Sequence, residues 1–111
     1  MARAHDPALP QAALELVVLR AVAAGPLHGY GIALRIHEAS KDLLRVEEGS
    51  LYPALHRLEQ AGLLRAAWDT SETNRRARYY SLTPQGHRRL EEQKEKWARL
   101  TEGVARVLSY A

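Results

Sequence analysis

Residues Glu48 to Gly62, EGSLYPALHRLEQAG, set hydrogen-bonding side chains against an apolar stripe at helical spacing. Leu51, Leu55 and Leu58 fall on one face of a short helix and would pack inward. Ser50, Tyr52, His56 and Arg57 lie off that stripe. Their hydroxyl, phenol, imidazole and guanidinium groups are the types that reach phosphate oxygens and base edges. Gly62 stands where a helix ends in a left-handed residue. A short amphipathic helix with a polar outer face is the form a recognition helix must take. Its neighbours decide whether it is one.

The chain has 111 residues, which predicts a single domain with a modest core. The formal net charge is only +3, so the total says little and the distribution more. Between Arg57 and Arg89 stand Arg57, Arg65, Arg75, Arg76, Arg78, Arg88 and Arg89, against Glu59, Asp69 and Glu72. A basic stretch between nearly balanced ends suits local contact with a polyanion. The absence of cysteine excludes disulfides, thiolate metal sites and a cysteine nucleophile. His5, His28, His37, His56 and His87 show no metal-binding spacing, so no metal and no cofactor is expected. Ser50 has no nucleophile-elbow context and no glycine-rich phosphate loop precedes a helix, so the chain does not read as an enzyme. The apolar run Ala12 to Leu27 is interrupted by Glu15, Arg20 and Pro26, too short and too charged to span a bilayer. A soluble, cytoplasmic protein without membrane contact is the expectation.

The elements around the central helix can be read in order. Met1 to Pro7 read as an arm-like start. Leu9 to Ala24 is a helix with apolar residues nearly all round, which predicts cover on more than one side, the second cover coming from another subunit. Gly25-Pro26 ends it. A second helix is expected from about His28 to Ala39, with Gly29 and Gly31 in its first turn, and Ser40-Lys41-Asp42 as its break. Leu43 to Val46 reads as a short extended piece. Leu63 to Trp68 and Arg78 to Thr83 are two strands joined by a polar loop in which Asn74 can take positive φ, which makes a hairpin. Thr83 and Pro84 then open a last helix, to about Tyr110, as N-cap and first helical residue. Leu90, Trp97 and Val104 are seven apart, as are Gln93, Leu100 and Val107, an a/d seam.

Three helices, a basic hairpin and a long helix make a winged helix-turn-helix: a mainly α, α+β fold with a two-stranded wing. Residues 8–83 would form the DNA-binding domain and residues 84–110 a C-terminal dimerisation helix. The third helix would enter the major groove, and Arg75, Arg76 and Arg78 would reach phosphates. Leu90, Trp97, Leu100, Val104, Val107 and, on the first helix, Leu16 would form the dimer interface.

Gly49-Ser50-Leu51-Tyr52-Pro53-Ala54-Leu55, Arg57-Leu58-Glu59, Gly62-Leu63, Arg75-Arg76, Tyr79-Tyr80-Ser81-Leu82-Thr83 and Gly86 together resemble the signature of PadR-family transcriptional regulators. Leu27-His28-Gly29-Tyr30-Gly31-Ile32 resembles the family's entry to the second helix. The likeness spans roughly Leu14 to Val107 and is to the short subfamily, most of all to its acidobacterial PadR-like group. It implies a homodimeric repressor that binds double-stranded DNA at an inverted repeat. It implies DNA contacts at Ser50, Tyr52, Pro53, His56 and Arg57, with His28 and Tyr30 near the backbone. It leaves Trp97 two roles: dimer core, or, beside Gln93, one wall of a pocket for a small flat hydrophobic effector.

Overall fold

The computed structural model describes residues 9–111; the arm expected over Met1 to Pro7 lies outside them. Helix α1 (Gln11–Val22) is followed by a two-residue strand β1 (Leu27–His28), helix α2 (Gly29–Ala39) and helix α3 (Glu48–Gln60). Strands β2 (Leu64–Thr70) and β3 (Arg76–Leu82) form the hairpin, and helix α4 (Pro84–Ser109) ends the chain. The sheet is antiparallel with order β1-β3-β2. The winged helix-turn-helix architecture is therefore as expected, with one addition: Leu27 and His28 pair with Tyr80 and Tyr79, making a third strand. Two residues are too few to show a period-two pattern, so no local signal marks them. The hairpin strands are also longer at the tip than expected, running on to Thr70 and starting at Arg76. Leu43 to Val46 forms no strand.

Helix α1 is the hub. Its buried residues Leu14, Val18, Leu19, Ala21 and Val22 join Ile32 and Ile36 of α2 and Leu51, Ala54, Leu55 and Leu58 of α3 in one core. It packs against α2, α3, α4 and β3. Its all-round apolar character, from which a partner subunit's cover was expected, is thus met largely within the chain.

Local chemistry sets the boundaries. His28 caps α2, its Nδ1 accepting from the Gly31 N–H at 3.0 Å. Lys41 and Asp42 both take positive φ after α2, and the Asp42 carboxylate meets His37 Nε2 at 2.9 Å. Helix α3 closes as expected, with Gly62 at φ +77° and the Leu63 N–H donating to the Leu58 carbonyl. Asn74 takes φ +60° in the hairpin turn. Thr83 caps α4, its hydroxyl accepting from the Gly86 N–H at 3.0 Å and donating to the Gly62 carbonyl at 2.7 Å. That one side chain ties the end of α3 to the start of α4.

Candidate nucleic-acid interface

At 100° per residue, burial of Leu51, Ala54, Leu55 and Leu58 puts Gly49, Pro53, His56 and Gln60 on the opposite, outermost line of α3. All four are exposed. Gly49 and Gln60 belong to this line although neither carries a sequence signal of its own. Pro53 lies inside the helix, where it cannot supply the N–H that the Gly49 carbonyl would otherwise accept. Ser50 and Arg57 form one flank of the helix and Tyr52 and Glu59 the other.

The two flanks differ. Arg57 turns toward α1 and donates through Nε to Glu15 at 2.9 Å. It is therefore not a free guanidinium on the outer line, and the reason is the acid that α1 places beside it. On the other flank the Tyr52 ring lies over Gly29, the first residue of α2: a Cβ there would stand 2.6 Å from the Tyr52 hydroxyl. The glycine is what allows the ring to seat. Tyr52 stays 47 % exposed, enough to act both as a clamp between helices and as a surface group. Glu59 accepts from Arg78 of β3 at 2.8 Å. Arg78 is thus also committed within the chain, holding the hairpin to α3.

The other residues singled out from the sequence gather around the same flank. Tyr30 is exposed and stacks on His28, with ring centroids 6.4 Å apart. His28 is half-buried, meets Tyr79 edge-on and reaches the Glu72 carboxylate through Nε2 at 3.3 Å. With Nδ1 accepting from Gly31, the neutral ring carries its proton on Nε2 and donates it to Glu72. His28 is therefore a cap and a brace for the hairpin loop. Arg75 is exposed in the turn, and Arg76 begins β3 with its guanidinium over the Trp68 ring. Tyr30, Tyr52, Glu72, Arg75 and Arg76 line a cleft of about 710 Å³ between the start of α2, α3 and the hairpin. One wall is aromatic and the other carries arginines.

The electrostatics of this cleft make one prediction. A backbone N–H bond and the His28 hydrogen bond hold the Glu72 carboxyl below the usual glutamate range. A carboxyl depressed in the fold stabilises its contact above its unfolded pKa and loses that contribution as pH falls through the folded value. The brace should thus be intact near neutrality and release only in acid. An NMR titration of the Glu72 side chain should show this low midpoint. His28→Ala should move the midpoint up; an unmoved midpoint would remove the brace. Burial pushes the Tyr80 phenol up, opposed by the neighbouring Arg78 charge.

The dimerisation residues divide. Leu90 is 3 % exposed and belongs to the chain's own core. The heptad stripe first faces the chain's own α1, so Leu90 is not a free interface residue. Leu16 and Gln93 line an intrachain cleft of about 180 Å³ with Glu15, Leu58 and Arg89. Trp97, Leu100, Val104 and Val107 are exposed, as is Leu108. Among the described residues, no helix is long and apolar enough to cross a membrane.

Comparison with known proteins agrees with this geometry. Residues 18–92 match the transcriptional regulator PadR-like family. The chain is 39% identical over 82 residues to a transcriptional regulator of Mycobacterium tuberculosis, covering 74% of this chain and 73% of that one. It is 42% identical over 87 residues to a 37.1 kDa protein in transposon TN4556 of Streptomyces fradiae, 78% of this chain but only 24% of that protein's length. A transcriptional regulator from Clostridium thermocellum superposes with TM-score 0.78 at 28% identity, covering 90% of this chain and 96% of that one. A PadR-like transcriptional regulator from Bacillus cereus superposes with TM-score 0.75 at 26% identity, covering 88% and 93%. With this fold, this helix and these relatives, the chain belongs to the PadR-like family and is a DNA-binding regulator of transcription, not an enzyme.

Proposed function

We propose that the protein is a homodimeric repressor that reads an inverted-repeat operator in the cytoplasm. The observation that carries the dimer is the apolar stripe of α4. This helix has 26 residues, about 39 Å at 1.5 Å per residue, and from Trp97 onward its seam is uncovered. Trp97, Leu100, Val104 and Val107 stand in water, and the pairs Glu95–Arg99 and Glu102–Arg106 also lie on this helix. An apolar seam beside charged flanks is the form of a helix that pairs with another. Residues 84–110 then serve as the dimerisation helix and residues 8–83 as the DNA-binding part.

In such a dimer the two α3 helices sit about one DNA turn, roughly 34–36 Å, apart. Pro53 and His56 face the major groove, flanked by Ser50 and Tyr52, while Tyr30, Arg75 and Arg76 meet the sugar-phosphate backbone. Arg57 and Arg78, held by Glu15 and Glu59, keep α3 and the wing in register. A small flat hydrophobic effector would act beside Trp97 and Gln93, where the subunits meet. To release DNA it must bind the two dimer states with different affinity.

Footprinting on the DNA upstream of the protein's own gene tests this reading. The expected result is a protected palindrome with half-sites one turn apart. Smearing that disappears with added salt, without a footprint, would overturn it.

A further inference from the structure

Neither the core nor the α3 contacts account for Trp68. It is 60 % exposed, so its indole gains little by burial. The β2–β3 register sets Ala66 opposite Tyr80, Trp68 opposite Arg78 and Thr70 opposite Arg76. Residues two apart share a sheet face, so Tyr80, Arg78, Trp68 and Arg76 stand on one face, from the core toward the hairpin tip. Each arginine lies over a ring. Arg78 is 6.0 Å from the Tyr80 centroid, and Arg76 is 4.9 Å from that of Trp68. They differ in what else holds them: Glu59 takes the Arg78 guanidinium, whereas Arg76 has no acidic partner among the described residues.

A guanidinium stacked on a ring uses its flat face, and its N–H donors, which lie in its plane, stay free. The stack also restricts a long side chain before any ligand arrives, so less freedom is lost on binding. We propose that Trp68 is a positioning residue for DNA binding: its indole holds Arg76 with the N–H fork open to a phosphate, making Arg76 the principal phosphate contact of the wing. Arg75, on the turn, has no such platform. The proposal rests on the hairpin acting as a DNA-contacting wing.

The test is a double-mutant cycle with the full chain and a fluorescein-labelled duplex of mixed sequence, about 30 base pairs or three turns long. Phosphate contacts are indifferent to sequence, so this probe suffices. Arg76→Ala should weaken binding and make the salt slope shallower by about one per wing. Trp68→Leu should weaken binding about threefold in the native background and not at all in the Arg76→Ala background. Trp68→Phe, which keeps a ring, should recover most of the loss. No cost of Trp68→Leu in the native background, or an equal cost in both, overturns the positioning role and leaves the wing standing. An unchanged affinity and salt slope for Arg76→Ala overturns the wing reading itself. Trp68 lies outside the core, so each variant should melt as the native protein does.

Discussion

Trp97→Arg is expected to yield a folded monomer that binds an inverted-repeat operator about a hundredfold more weakly than the native protein. The size follows from avidity. Two tethered readers make the second half-site contact intramolecular, and separating them removes that advantage without touching α3. The retained fold follows from exposure: Trp97 is 43 % exposed and lies outside the core cluster, so its loss leaves no cavity. A guanidinium there would face its own copy across the proposed two-fold, and burying it unpaired is costly. Sedimentation measures the oligomer, thermal melting the fold, and anisotropy the affinity. A Trp97→Arg protein that still sediments as a dimer would place the interface elsewhere.

Gly86→Ala should destabilise the protein by about 2 kcal/mol, lowering its melting temperature by about 10 °C. This runs against helix propensity, since replacing glycine with alanine inside a helix gains about 1 kcal/mol. The sign turns on what the new methyl would meet. A Cβ on Gly86 would land on the Leu63 backbone carbonyl oxygen and crowd Leu82. That carbonyl cannot swing aside, because it also accepts from the Thr83 N–H at 3.2 Å. The α4 start would have to lift away, breaking the bonds from Thr83 to Gly62 and from Gly86 to Thr83. Thermal unfolding monitored by circular dichroism decides it, and a melting temperature equal to or above the native value would refute the close packing.

The two effects sit at the start and the middle of α4 and differ in legibility. The seam beyond Leu90 is periodic, and a period shows in a sequence. So do the caps and the turn: Thr83 before Pro84, Gly62 after a leucine stripe and Asn74 in a polar loop each need only their neighbours. The apolar stripe of α3 is of the same kind, and with it the outward set of Pro53 and His56. These features depend on residues a few places apart, and local backbone geometry forces them.

The contacts that sort the site are of another kind. Arg57 and Glu15 are 42 positions apart, His28 and Glu72 44, and Arg78 and Glu59 19. No period relates such pairs, so three residues that look alike as free polar groups prove to be a helix tie, a loop brace and a wing tie. The same holds for Gly29, whose missing side chain makes room for Tyr52, and for Trp68, whose partner Arg76 is set by strand register. It holds for Leu90 as well, since only the path of α1 decides whether a seam residue faces its own core or solvent. The sequence by itself determined the four helices, the hairpin, the caps at Gly62 and Thr83 and the family, because backbone propensity and side-chain period act locally. Which arginines of α3 and the hairpin are taken by an acid of the chain was decided only by the tertiary structure, because an ion pair between distant segments depends on where they come to rest.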